Sequence, residues 1–207
     1  MTPPGAVADG EAQRAERQGV VELLGISGSL RAQSYCTAIL KTLADSTRDM
    51  TNIRLFPLDD LPLYNEDLES LLPASVTTLR TAIAAADGIV IVSPEYNHGM
   101  PGVLKNALDW ASRPFGRAAI SGIPVLTITA SIAFTGGVRT HAQLNETLIA
   151  MACPLVIRPQ SVVGGVHDKV TEGRLTDQAT LSFLRAGISD LVQQVIASGS
   201  GQRIKTT

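Results

Sequence analysis

The sequence predicts a doubly wound α/β domain, in which helices cover both faces of a five-stranded parallel sheet. Short runs that are apolar at nearly every position alternate with segments in which apolar residues recur every three or four positions. Such runs are typical of strands buried on both faces, and their alternation with helices is typical of parallel sheets. The chain has 207 residues, of which 44% are hydrophobic. It is therefore long enough to bury one large core.

Each predicted element follows from its local pattern. The apolar runs assigned to strands are residues 20–26, 53–58, 88–93, 123–130 and, more weakly, 155–157. The segments with helical periodicity are residues 34–48, 76–86, 102–112, 138–151 and 176–197. Five strands favour the flavodoxin-like strand order 2-1-3-4-5 over a six-stranded dinucleotide-binding fold.

The predicted domain spans residues 20–198. Residues 1–19 combine Pro, Gly, Ala and mixed charges without an apolar segment, which predicts a disordered tail. We expect residues 199–207 to form a flexible C-terminal tail. Segments 57–73 and 159–175 are predicted loops, longer than most connections, and long loops on such a fold are often functional.

Composition argues against several classes of function. The net charge is −2 without a Lys/Arg-rich run, which argues against a nucleic-acid or membrane-surface partner. No apolar run approaches the roughly 20 residues that cross a bilayer. Residues 1–19 do not resemble a secretory signal, which predicts a cytoplasmic protein. Two cysteines, Cys36 and Cys153, and three histidines without ligand-like spacing predict neither a disulfide framework nor a metal site.

Ligands of open parallel sheets bind outside the carboxyl ends of the strands, so the loop after the first strand is the first candidate site. It contains Ser29, Arg31 and Ser34 ahead of a helix, whose first N–H groups attract anions. Arg31 could offer paired donors to a phosphate. Alternatively, Ser34 only caps the helix and Arg31 is a solvated surface charge.

Two further loops follow the third and fourth strands. Two prolines and two glycines in segment 94–102 suggest an unusual backbone that aims N–H groups at a ligand. They could equally just turn the chain, with Tyr96 and Trp110 filling a core or an interface. The loop after the fourth strand contains Ser131 and a glycine pair, which is a weak indication by itself.

Two segments closely resemble the signature segments of the NADPH-dependent FMN reductase family, which is flavodoxin-like and includes quinone, chromate and azo-dye reductases. They are Gly28-Ser29-Leu30-Arg31-x-x-Ser34 and Pro94-Glu95-Tyr96-Asn97 with Pro101-Gly102-x-Leu104-Lys105-Asn106-Ala107-Leu108-Asp109-Trp110. The resemblance covers about residues 20–197. It implies that Ser29, Arg31 and Ser34, with the N–H groups of Tyr35 and Cys36, hold the FMN phosphate. It further implies an isoalloxazine site bordered, chiefly through backbone groups, by Pro94, Glu95, Tyr96, Asn97, His98 and Ser131.

One position departs from the family pattern. The family usually has Asn where this chain has Cys36. Because a thiol is a weak donor, the phosphate could bind less tightly, or the backbone N–H could suffice. Alternatively, Cys36 is a redox-sensitive thiol whose pKa is lowered at a helix N-terminus.

The resemblance implies an enzyme in which NADPH or NADH reduces bound FMN and a small acceptor such as a quinone then takes two electrons. The chain shows no acid–base constellation, so no side chain is assigned as catalytic. The resemblance also predicts a homodimer or homotetramer with Trp110 near its interface, although a core role for Trp110 is the alternative. Competing hypotheses are a non-catalytic flavodoxin-like electron carrier and a member that has lost FMN through the Cys36 change.

Overall fold

The computed structural model describes residues 20–199, which form an α/β domain of three layers. The five-stranded parallel sheet consists of β1 (Val21–Ser27), β2 (Thr51–Phe56), β3 (Gly88–Pro94), β4 (Val125–Ala130) and β5 (Val162–Val163). Its helices are α1 (Tyr35–Ser46), α2 (Ala74–Ala85), α3 (Gly102–Ala111), α4 (Val138–Ala150) and α5 (Gln178–Ala197). The strand order is β2-β1-β3-β4-β5, which confirms the predicted flavodoxin-like topology. The predicted tails lie outside the described residues, apart from Gly199.

The helices divide between the two faces of the sheet as alternating side chains dictate. Leu24 and Ile89 belong to a core that includes apolar residues of α2, α3 and α4. Leu23 and Val90, one position away in each strand, belong to a second core that includes residues of α1 and α5. Because β3 and β4 bury every residue on both faces except Pro94, they have no polar alternation. This explains why they could be recognised as continuous apolar runs.

The fifth strand was predicted in the wrong place. Residues 155–157 do not form it: Leu155 makes a single parallel bridge to Val125, and the chain then leaves the edge of β4. The chain returns at Val162–Val163, where Val162 pairs with Thr129. A strand of two residues is too short to produce a periodic pattern. The predicted loop 159–175 therefore contains β5.

The same segment holds further structure. A 3₁₀ turn, Val166–Asp168, leads into an antiparallel pair formed by β6 (Val170–Thr171) and β7 (Arg174–Leu175). The Leu175 N–H donates a 3.0 Å hydrogen bond to Thr42 Oγ1 on α1, so the hairpin is fixed to the domain. Between residues 20 and 199 no helix is both long enough and apolar enough to span a bilayer.

Candidate active site at the carboxyl ends of the central strands

The three candidate loops follow β1, β3 and β4, which are neighbours in the sheet. The first loop touches the end of β3, because the Gly28 N–H donates a 2.8 Å hydrogen bond to the Val92 carbonyl. A Cβ at Gly28 would lie 3.0 Å from Ser93 Oγ and 3.3 Å from Pro94 Cδ. Glycine therefore permits this close approach, and the first two loops form one edge of the molecule.

The N-terminus of α1 presents backbone donors at this edge. Ser34 is buried, and its Oγ caps the helix by accepting the Thr37 N–H at 3.3 Å. Within residues 20–199 the N–H groups of Tyr35 and Cys36 donate no hydrogen bond to another residue. Unpaired N–H groups at the positive end of a helix dipole suit a phosphate. The residues present therefore fit the phosphate of FMN, with Ser34 as the cap and its two successors as donors.

An open cleft of about 350 Å³ lies beside this helix end. Ser29 and the exposed Arg31 line it, and the Arg31 guanidinium stacks 4.9 Å from the centre of the Tyr35 ring. Sequence reasoning missed Thr37, which also lines the cleft and whose hydroxyl donates to Ser27 Oγ at 2.9 Å. Its position in the first turn of the helix could have indicated it. Leu30, Ala32 and residues 55–59 complete the cleft.

Cys36 presents its backbone N–H group, and not its thiol, at the N-terminus of α1. The side chain is 2% exposed and packs among the apolar residues shared by α1 and α5. Burial raises the pKa of the Cys36 thiol to about 12, against smaller lowering effects of Ser34 and Arg31. The hypothesis of a low-pKa, redox-sensitive thiol is therefore wrong, because desolvation outweighs the helix N-terminus. The thiol also cannot replace the amide of the family's usual Asn as a donor.

The second loop forms a tight turn at Tyr96–Gly99. The N–H of each of these two residues donates to the carbonyl of the other at 3.0 Å. Asn97 and His98 between them have positive φ angles of 51° and 67°, as a type I′ turn requires. The unusual backbone therefore lies at Asn97 and His98 and not at the glycines. Within residues 20–199 the N–H groups of Asn97 and His98 have no partner, and both residues are exposed.

The Glu95 carboxylate has a structural partner that the sequence did not reveal. Its Oε2 accepts the N–H groups of Arg139 and Thr140 at 3.1 and 3.0 Å. Gly137, at the N-cap position of α4 with φ of 84°, has no side chain to do this. Glu95 therefore caps the next helix across the sheet and joins the second loop to the third. Its side chain is 10% exposed, which commits the carboxylate to this contact.

The third loop is fixed at its start by Ser131. The Ser131 N–H donates to the Val163 carbonyl at 3.0 Å, and Ser131 Oγ accepts the Ala133 N–H at 3.1 Å. The Ser131 hydroxyl thus forms a local turn. After Ser131 the loop exposes Ile132 (67%) and Phe134 (94%), which form an apolar rim at the carboxyl end of β4.

Trp110 belongs to the core, which corrects its predicted place at an interface. Its side chain is fully buried, and its Nε1 donates to the Pro62 carbonyl at 2.8 Å. Asn106 reinforces this contact: its Nδ2 donates to the same carbonyl at 2.9 Å, and its Oδ1 accepts the Tyr64 N–H at 2.7 Å. The two α3 residues therefore hold the segment after β2, whose first residues line the cleft.

A buried polar cluster lies on α4 and β4. The Thr127 hydroxyl donates to Asn145 Oδ1 at 2.7 Å, and His141 Nε2 lies 3.3 Å from the same hydroxyl. His141 Nδ1 lies 3.3 Å from Asn145 Nδ2. Burial lowers the pKa of His141 and so favours the neutral ring. Among residues 20–199 no group of three or more His, Cys, Asp or Glu side chains could hold a metal ion.

Comparison with known proteins agrees with this geometry. Residues 21–168 match the family model described as NADPH-dependent FMN reductase. The chain belongs to the NADPH-dependent FMN reductase family. A quinone reductase of Escherichia coli is 35% identical over 189 residues, which cover 87% of this chain and 98% of the relative. An NAD(P)H-dependent FMN reductase of Pseudomonas aeruginosa is 35% identical over 173 residues, covering 83% and 93%.

A solved structure is also similar. It is the flavoenzyme NAD(P)H:(acceptor) oxidoreductase FerB from Paracoccus denitrificans, with a TM-score of 0.78 and 30% identity. The match covers 86% of this chain and 98% of FerB. Within this FMN reductase fold, the first group of predicted site residues follows the end of β1: Ser29, Arg31, Ser34, Tyr35 and Cys36. Pro94 to His98 and Ser131 meet at the ends of β3 and β4.

Proposed function

We propose that the protein catalyses transfer of two electrons from NADPH or NADH, through bound FMN, to a small acceptor such as a quinone. The observation that carries the proposal is the pair of unpaired N–H groups at the N-terminus of α1, Tyr35 and Cys36, beside Ser29 and Arg31. The relatives named above are a quinone reductase, an NAD(P)H-dependent FMN reductase and a flavoenzyme NAD(P)H:(acceptor) oxidoreductase, and the proposal combines these named activities for this chain.

In the proposed reaction the role of the protein is to bind FMN and to orient it. When bound, FMN supplies a ring that accepts a hydride from the nicotinamide and returns two electrons to the acceptor. Arg31, Ser29 and the N–H groups of α1 would hold its phosphate. The free N–H groups of Asn97 and His98 would donate to the ring edge, where negative charge develops on reduction. Pro94, Glu95, Tyr96 and Ser131 would border the same ring, and we assign no catalytic role to any ionisable side chain.

The structure supports FMN binding despite the departure at Cys36. Because that thiol is buried in the core while its N–H group is unpaired, the substitution removes no backbone donor from the phosphate site. This argues against a member that has lost FMN. An electron carrier remains the competing function, but the chain carries a net charge of only −2 and lacks the strong acidity of a typical carrier.

A quinone-reductase assay tests the proposal against the carrier. We expect the purified chain to contain FMN and to sustain many turnovers of NADPH or NADH oxidation when a benzoquinone is added. A yellow protein that bleaches once and shows no steady oxidation would indicate a carrier. A colourless protein that FMN does not stabilise would indicate lost cofactor binding.

We also propose a homodimer or homotetramer. Exposed apolar side chains support it, among them Phe134 (94%), Phe115 (90%) and Ile157 (97%). Exposed apolar residues that are scattered singly are also found on monomers, so the oligomeric state has to be measured. A monomer in light scattering at micromolar concentration would contradict the proposal. A cytoplasmic location stays a prediction from the sequence.

A further inference from the structure

Two side chains hold the Tyr96–Gly99 turn against α4: Glu95, which precedes the turn, and Gln143 of α4, which binds the residue that follows it. Glu95 precedes the turn and caps α4 through the N–H groups of Arg139 and Thr140. Met100 follows the turn, and its N–H donates to Gln143 Oε1 on α4 at 2.7 Å. Both ends of the turn are therefore bound to the first two turns of one helix.

The turn needs such support. Asn97 and His98 occupy the left-handed region, which is unfavourable for residues with a side chain and persists only where the surroundings fix it. The side chain of Gln143 lies directly against the turn, because a Cβ at Gly99 would be 3.1 Å from Gln143 Oε1. Gln143 thus contacts the turn at two adjacent residues.

We propose that Gln143 is a positioning residue for hydride transfer, which it serves by fixing the free N–H groups of Asn97 and His98. The proposal rests on the proposed function. Donors that face developing charge accelerate a reaction only when they are preorganised, and a displacement of about 1 Å can cost about 100-fold in rate. Gln143 would act through the turn, without touching the substrate.

The surroundings of Gln143 allow an effect on the turn to be distinguished from an effect on folding. The residue is exposed on α4, and among the described residues its amide contacts only the turn. Removing the amide therefore leaves the apolar core of α4 intact. Glu146 offers a matched control, because it is exposed one turn further along α4 and makes no hydrogen bond through its side chain within residues 20–199.

The test compares Gln143→Met, Gln143→Glu and Glu146→Met in the full chain with FMN bound. Met lacks the acceptor, whereas an ionised Glu can accept the same N–H. Exchange of the Met100 amide is followed by NMR, and flavin reduction by NADPH is followed by anaerobic stopped flow.

In Gln143→Met we expect Met100 exchange to accelerate by about 2- to 12-fold, the range for loss of one neutral hydrogen bond. Flavin reduction should slow by at least about 3-fold, while the KM for NADPH and the FMN affinity stay within about 2-fold of wild type. Gln143→Glu should restore both rates, and Glu146→Met should match wild type.

Some results would overturn the positioning role of Gln143 and leave the proposed function standing. They are unchanged Met100 exchange in Gln143→Met, or faster exchange with an unchanged rate of flavin reduction. Failure of Gln143→Glu to restore the reduction rate also overturns it. A wild-type chain that binds no FMN or is not reduced by NADPH instead refutes the proposed function, and the positioning role falls with it. The exchange measurement distinguishes these cases, because it does not depend on turnover.

Discussion

Replacing Glu95 with Ala tests whether the loop after β3 and helix α4 form one structural unit. The substitution removes the acceptor of two N–H groups, those of Arg139 and Thr140, at 3.1 and 3.0 Å. Gly137 has no side chain that could take over this role. We therefore expect a loss larger than that of an ordinary surface substitution.

The magnitude follows from the contacts. Loss of a helix N-cap costs about 0.5–2 kcal/mol, and hydrogen bonds to a charged group contribute about 1.5–3 kcal/mol. The ion pair between Glu95 and Arg139 adds little, since its atoms are 3.8 Å apart and Arg139 is 56% exposed. We expect Glu95→Ala to lower the free energy of unfolding by about 2 kcal/mol. Glu95→Gln keeps an acceptor oxygen and should cost about 0.3–1 kcal/mol, the contribution of the charge to the helix dipole.

Urea unfolding followed by circular dichroism measures these changes. FMN is removed first, because a ligand that binds only the folded state would raise the apparent stability of each variant differently. Thermal unfolding should show Glu95→Ala melting about 4–8 °C below wild type, given about 2–4 °C per kcal/mol for a domain of this size. A loss below about 0.5 kcal/mol, or equal losses in the two variants, would refute the capping role.

Three further predictions concern individual side chains. Arg31→Ala should weaken FMN binding by about 1.5–3 kcal/mol, as for a hydrogen bond to a charged group, and an unchanged affinity in a fluorescence titration would refute the phosphate site. Because burial raises the pKa of Cys36 to about 12 and that of Cys153 to about 11, iodoacetamide at about pH 8 should modify the native chain at least 100-fold more slowly than the chain in urea. Burial lowers the pKa of His141 below its usual 6.5, so the unfolded chain binds the extra proton first as the pH falls. The stability linked to His141 is therefore fully present above about pH 6.5 and decreases below it. The free energy of unfolding in urea should accordingly fall less between about pH 7.5 and 5.5 in His141→Gln than in wild type.

The sequence predicted the elements whose side chains repeat a clear pattern. β3 was placed to within one residue, because every residue from Gly88 to Ser93 is apolar or small and is buried. The helix at 138–151 was placed equally well, since Leu144 and Leu148 recur on the face that packs on the sheet. The fifth strand escaped detection because two residues, Val162–Val163, cannot show a period.

Within the candidate site, the polar loop at the start of α1 could be predicted because hydroxyls and Arg31 sit next to a helix start in the sequence. Contacts between distant residues could not. Glu95 caps a helix that begins more than 40 residues later, and Gln143 reaches back by a similar distance to Met100. Only the sheet order brings these loops together. The burial of Trp110 could likewise not be predicted, because the sequence of a helix does not show whether a loop covers one side of it.

In the proposed reaction the backbone of the Tyr96–Gly99 turn, and no ionisable side chain, supports flavin reduction. Anaerobic stopped-flow bleaching of the flavin by NADPH in wild type and His98→Ala tests it most directly. The substitution removes the only histidine of the turn but leaves its N–H group, and alanine also carries a Cβ, so the backbone strain changes little. We predict that His98→Ala retains bound FMN and bleaches at a rate within about 10-fold of wild type, since losing a backbone donor would cost about 100- to 1000-fold. Bleaching abolished while FMN remains bound would show that the imidazole takes part in the reaction and would contradict the proposed role of the backbone.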